Sequence, residues 1–303
     1  MFGNEVFKVM IRVEKLSNDN LKDFSNLLEE AKSKNEYLRD FFRFYDNKSF
    51  IFRYIVRKMV YIIKYNEIYI GYIWIESPSY ESSKAADIYI KEEYIKYFTG
   101  KLLLILKTEI VTLECFENEY SRKLLKALDM IPIRKTYLMK LENYKEEPIK
   151  LSENLSFSIY KKRKDALARC NVQNKIFFSN ARVPLNIEDI YYDEKQDYFL
   201  DNLSLFLKYG EKEIGYGQII YSRNMNLIVN FGIIEEYRGK GYGRLLINKL
   251  IQLAFKNNIK DLYIRVDTNN KAALNLYEDM GFKTIGNFLV WMWAKDTNFQ
   301  KMV

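Results

Sequence analysis

Residues 235–244 read Glu235-Glu236-Tyr237-Arg238-Gly239-Lys240-Gly241-Tyr242-Gly243-Arg244. Three alternating glycines allow a tight turn and let a ligand approach the backbone without meeting Cβ atoms. The apolar run Leu227–Ile234 before them reads as a strand. The stretch Gly243–Asn257 after them has helical spacing at Leu245, Leu246, Leu250 and Ile251. A glycine turn that opens a helix aims its free amides one way, and the helix dipole favours negative charge there. Arg238, Lys240 and Arg244 add positive charge, so the turn has the physics of a diphosphate cradle. It is neither a Gly-x-x-x-x-Gly-Lys-Ser/Thr loop nor a dinucleotide fingerprint, whose third glycine is replaced by Arg244.

Working outward, Phe157–Lys162 reads as a strand, Lys164–Ser179 as a helix and Ile187–Leu200 as helical or irregular. Leu203–Lys208 and Ile214–Tyr221 make a hairpin. Leu262–Val266 is a short strand, Lys271–Met280 a helix stopped by Gly281, and Phe288–Trp293 a last strand. The first half repeats this order. Strand Phe7–Val13 and helix Asn20–Lys32 precede a hairpin, Met59–Lys64 with Ile68–Ile75. Strand Ala86–Ile90, helix Lys101–Leu106, strand Val111–Cys115, helix Glu119–Leu128 and strand Thr136–Leu141 follow. Ile70-Gly71-Tyr72 echoes Ile214-Gly215-Tyr216, and Asp129-Met130 echoes Asp279-Met280. A period this long means two domains rather than a solenoid. The expected fold is α/β (α+β), two domains of mixed, mostly antiparallel sheet flanked by helices. The expected division is 1–147 and 148–303, with a polar linker at Asn143–Asn154.

Composition narrows the function. With 48% apolar and 16% aromatic residues the chain is not disordered. It has no histidine, which removes the commonest general base and any Ser/His/Asp or Cys/His triad. Two cysteines, Cys115 and Cys170, cannot make a disulfide framework or a thiolate zinc site, and no metal is expected. Net charge is +8, but residues 1–150 carry 26 basic and 23 acidic side chains and residues 151–303 carry 22 and 17. Such dispersed charge makes nucleic acid an unlikely partner and suits a polyanionic small molecule. No leader or membrane-spanning run is visible, so a cytoplasmic protein without membrane contact is expected. Oligomeric state is left open.

Arg238-Gly239-Lys240-Gly241-Tyr242-Gly243 resembles Arg/Gln-x-x-Gly-x-Gly/Ala, the acyl-CoA pyrophosphate loop of the GNAT superfamily of N-acetyltransferases. Asn270-Lys271-Ala272-Ala273-Leu274-Asn275-Leu276-Tyr277 is similar to that family's Asn-x-x-Ala-x-x-Leu-Tyr, with Gly281-Phe282 closing it. Together the motifs cover roughly Leu227 to Phe282. The resemblance implies acetyl-CoA as cosubstrate and an amine, on a small molecule or a peptide, as acceptor. It implies that amides of residues 238–243 bind the pyrophosphate, with Arg244 flanking. The backbone of Ile233 and Ile234 would pair with pantetheine, Asn270 would touch the cofactor, and Tyr277 would protonate the departing thiolate. Direct attack in a ternary complex follows; the alternative is an acyl-CoA-binding or sensing protein without turnover. Tyr277 also fits a buried helix face, and Asn270 a helix cap. Glu235, Glu236 and Asp267 are nearby carboxylates, none of them singled out as the general base. The first half keeps a single glycine, Gly100, in the matching turn, and Ala127 stands where Tyr277 would. It is therefore expected not to bind acyl-CoA.

Overall fold

The computed structural model describes residues 11–296 other than 47, 143, 145, 147, 180 and 181. Residues 7–10 of the expected first strand, and part of the expected linker, lie outside the described residues. The chain forms two compact units: residues 1–135 with 287–303, and residues 136–286.

The first unit contains β1 (Ile11–Lys15), α1 (Leu21–Lys34), α2 (Phe41–Asp46), α3 (Phe50–Lys58), β2 (Val60–Tyr65), β3 (Ile68–Ser77) and β4 (Ser82–Ile90). Two 3₁₀ turns, β5 (Ile110–Phe116), α4 (Glu119–Ala127) and the start of β6 (Ile131–Leu141) follow. Strands β1 to β4 pair in sequence order, antiparallel, and β4 pairs β5 in parallel. Phe24, Leu27, Leu28 and Ala31 put one face of α1 into the core. Helices α2 and α3 were not expected. α2 is only six residues long and Phe/Tyr-rich, and tertiary packing makes it, while α3 starts at a Ser49 cap that accepts from Phe52 N–H. Phe41 sits edge-on to Phe24 and Trp74, at 4.8 and 5.1 Å.

The second unit repeats the plan. It contains β7 (Leu155–Ile159), α5 (Ala166–Ile176), α6 (Ile187–Asp193), β8 (Phe199–Tyr209), β9 (Lys212–Ser222) and β10 (Met225–Ile233). A 3₁₀ turn, α7 (Tyr242–Lys256), β11 (Leu262–Asp267), α8 (Lys271–Asp279) and the start of β12 (Phe282–Ala294) complete it. Strands β7 to β10 pair antiparallel, and β10 pairs β11 in parallel. Helices α7 and α8 pack on one face through Leu246, Leu250 and Tyr277. α5 packs on the other through Val172 and Ile176.

The last strand of each unit departs from the simple repeat. β11 pairs with Thr136–Lys140 of β6, and β5 pairs with Phe288–Ala294 of β12. A single boundary after residue 147 therefore does not coincide with the compact units. Both segments alternate similarly, so local pattern cannot say which strand each one joins.

Candidate functional site

The site lies in the second unit, where β10 leaves β11. The parallel ladder covers only Asn226–Ile228. Beyond it, the β9 register shifts between Val229 and Gly232, and Asn230 takes a φ of 52°. A bulge at this point bends the strand. Val229, Gly232 and Ile233 pair with β9 on one edge, and among the described residues no strand pairs with 229–233 on the other. Gly232 is what permits α5 to cover this bend: a Cβ there would stand 2.3 Å from Ile176 Cγ2. Sequence reading did not single out Gly232, because the contact partner is 56 residues away.

The glycine turn follows. Gly239 and Gly241 have φ of 75° and 78°, and a Cβ at either would meet nothing within 4 Å. Glycine is needed there for the left-handed backbone, and the space in front of it is open. Gly243 has a different role. A Cβ on it would come within 3.3 Å of Leu276, so it sets how closely α7 approaches α8. The first α7 bond recorded at this end runs from Leu245 N–H to Gly241 C=O, 3.3 Å. The amides of Tyr242, Gly243 and Arg244 precede it and have no carbonyl within the helix to receive them. These amides, the two open glycines and the dipole fit a diphosphate.

The cations divide differently from expectation. Arg238 does not point to the open side as a free charge. Its Nε donates to Ile233 C=O (2.9 Å), its Nη2 to Ile176 C=O (2.8 Å), and its own amide to Glu235 C=O (3.0 Å). It locks the turn to β10 and α5. Arg244 pairs with Asp279 at 2.6 Å across the ends of α7 and α8. Lys240 and Lys212 lie 5.4 and 5.1 Å from the Tyr237 ring centre and supply positive charge beside the turn.

Ile234 needs a correction. Its amide bonds Ile214 C=O (2.8 Å) and its carbonyl accepts from Tyr237 (2.9 Å), so both groups hold the bend. Ile233 C=O is taken by Arg238. The free edge lies earlier, over residues 229–233.

Asn270 caps α8, its side chain accepting from Ala273 N–H at 3.1 Å, which leaves the side-chain amide as a donor. Tyr277 is 6% exposed, with its ring 6.0 Å from Phe231 on β10 and 6.2 Å from Phe282. Among the described residues its hydroxyl has no hydrogen-bond partner, and burial pushes its pKa above the usual phenol value. Glu235 and Glu236 are exposed on the 3₁₀ turn, and Asp267 accepts from Asn269 N–H. Cys170 is buried; burial first, then Asp189, push its thiol pKa up, away from nucleophilic thiolate character.

The first unit has a matching corner, closed from within. β4 and β5 pair only from Ser82 to Ala85. Where they part, Tyr120 of α4 donates to Ile90 C=O (2.8 Å) and accepts from Ile90 N–H (3.1 Å). The cavity beside it, lined by Asp87, Tyr89, Leu113 and Tyr120 among others, holds about 20 Å³. That is room for roughly one water.

Residues 173–282 match the family model "Acetyltransferase (GNAT) family". This segment belongs to the GNAT family. The chain is 41% identical over 56 residues to an uncharacterized N-acetyltransferase, YycN, of Bacillus subtilis, covering 18% of this chain and 36% of that one. It is 33% identical over 79 residues to a spermidine N(1)-acetyltransferase of Vibrio cholerae, covering 25% and 46%. The chain thus spans less than half the length of these curated relatives. A solved tandem GNAT protein from the clavulanic acid biosynthesis pathway has TM-score 0.65 at 8% identity, covering 95% of this chain and 98% of that one. That likeness shows a GNAT fold along nearly the whole chain, well beyond the matched segment. No helix among the described residues is long and apolar enough to cross a membrane.

Proposed function

We propose that the protein is an N-acetyltransferase that moves an acetyl group from acetyl-CoA to an amine by direct attack in a ternary complex. The observation that carries this is the edge of β10 past Ile228, which leaves the β11 ladder just before the open first turn of α7 and sets Phe231 against the largely buried Tyr277, whose hydroxyl has no hydrogen-bond partner among the described residues. The first-turn amides of α7, with Lys240 and Lys212, hold the diphosphate. Residues 229–233 take pantetheine as an added strand. A β10 amide polarises the thioester carbonyl as charge develops on its oxygen.

The amine nitrogen attacks the carbonyl carbon, the C–N bond forms and the C–S bond breaks. Tyr277 gives its proton to the departing thiolate, and the proton on nitrogen leaves to solvent. A buried phenol suits this role, because it is fully protonated at neutral pH. We propose further that the second unit alone binds acyl-CoA and that the first shapes the fold without a cofactor. Tyr120 there occupies the backbone groups that pantetheine would need.

A free-thiol release assay on acetyl-CoA with an amine panel tests the reading. Amine-dependent thiol release is the expected result. Tight CoA binding with no release on any amine would favour the acyl-CoA-binding alternative.

A further inference from the structure

Seven side-chain nitrogen and oxygen atoms among the described residues are buried without a hydrogen-bond partner, and six belong to one cluster in the second unit. They are Arg169 Nε and Nη1, Gln173 Nε2, Gln218 Nε2, Ser204 Oγ and Glu194 Oε2. Arg169 and Gln173 stand one turn apart on α5. Ser204 and Gln218 are opposite each other in the β8–β9 ladder. Arg169 Nη2 donates to Gln218 Oε1 at 3.1 Å and to Asp193 Oδ2 at 2.5 Å. Its guanidinium is boxed by Tyr160, Tyr216 and Phe199, with ring centres at 5.4, 5.4 and 5.6 Å. Tyr160 in turn donates to Glu194. Native interiors pair such atoms, with protein, water or ligand.

The unmet demand has a sign. Asp193 already accepts from Arg169 and, through Oδ1, from Tyr198 at 2.6 Å. Gln218 Oε1 already accepts from Arg169, Tyr216 and Asn230. What remains is four N–H nitrogens against one carboxylate oxygen, Glu194 Oε2, which has Arg163 Nε 3.5 Å away, and one hydroxyl, Ser204 Oγ, that can donate or accept. The cluster has more N–H donors than acceptors. The Asn230 contact to Gln218, 3.3 Å, ties it to the bulge where β10 parts from β11.

We propose that Arg169, Gln173, Ser204 and Gln218 form the acceptor subsite, and that the acceptor is an amine that also carries a carboxylate. This rests on the acetyl-transfer reading above and narrows it. The carboxylate oxygens take the spare N–H groups, while the amine reaches the β10 bulge. A polyamine would bring positive charge and more N–H groups to a place already in surplus of donors. The atoms are closed from solvent, so acceptor entry displaces the end of α6 that bears Asp193 and Glu194.

The test uses the full chain loaded with CoA. Calorimetry compares amino carboxylates from glycine to 6-aminohexanoate with monoamines and diamines of matched length. At least one amino carboxylate should bind roughly tenfold or more tighter than its matched partners, the effect of a hydrogen bond to a charged group. Gln173→Leu keeps volume and removes one spare donor. It should erase most of that preference, with CoA affinity and melting temperature nearly unchanged. Failure of every amino carboxylate to bind preferentially, preference for a diamine, or preference that survives both Gln173→Leu and Ser204→Ala overturns the proposal. In that case buried water fills the cluster. Preferential binding without thiol release would instead count against acetyl transfer and leave the subsite standing.

Discussion

Tyr277 presents a single hydroxyl on a ring packed against Phe231 and Phe282. Replacing it with Phe should lower kcat about 10²- to 10⁴-fold, the range for a positioned acid. CoA affinity should change little, since the ring stays. Equal turnover in the two proteins would remove it from the mechanism. Burial also fixes a pH dependence. Because its folded pKa lies above the unfolded value near 10, the folded state holds the proton more tightly. The stabilisation this gives is complete below about pH 10 and is lost as pH rises through the folded pKa. The alkaline limb of kcat that Tyr277 causes should therefore not begin below about pH 10, as a pH–rate profile of wild type against Tyr277→Phe would reveal. Asn270→Ala should lower stability by about 1 kcal/mol through loss of the α8 cap, read by chemical denaturation.

The turn before α7 is decided by backbone conformation. Gly241→Ala places a Cβ on a residue with φ of 78°, where the nearest heavy atoms leave it ample space. The cost is therefore conformational, about 1–2 kcal/mol. CoA affinity should fall with it as the first-turn amides tilt. Thermal denaturation with and without CoA checks both, and an unchanged Kd would separate the turn from the diphosphate. Arg238→Met should loosen the same element from the other side by freeing two carbonyls, of Ile233 and Ile176. A destabilisation of about 1–3 kcal/mol is expected.

At the scale of the chain, the two units share a plan and differ in one corner. In the second, β10 leaves β11 and an edge stays unpaired; in the first, Tyr120 bonds both backbone groups of Ile90. Calorimetry should therefore find one CoA per chain. Two would mean that the Tyr120 contacts open. Tyr120→Phe should destabilise the first unit by about 1–2 kcal/mol, through loss of those two bonds, and leave CoA stoichiometry at one. The turn after β4 carries Gly100 alone, whose Cβ would strike Asp129 and Trp293, so this glycine serves close packing.

Local pattern was enough for much of this. The motif from Arg238 to Gly243, and the one from Asn270 to Tyr277, are contiguous, and their chemistry depends on backbone freedom and helix ends, which short spacings encode. The repeated order of strands and helices was legible for the same reason. Other features join residues far apart in the chain. The Arg169–Gln218–Asn230 chain links three elements, Gly232 answers to Ile176, and Arg238 donates to the carbonyls of Ile233 and Ile176. Helix α2 exists because aromatic rings pack there, and the choice of last strand, β12 beside β5 and β6 beside β11, is a matter of partner and not of pattern. The sequence by itself determined the repeated α/β plan, the glycine turn that opens α7 and the place of Tyr277 on α8. Only the tertiary structure decided which backbone groups are already spent, because hydrogen-bond pairing across the sheet and between α5 and β10 is settled by contacts that no local spacing records.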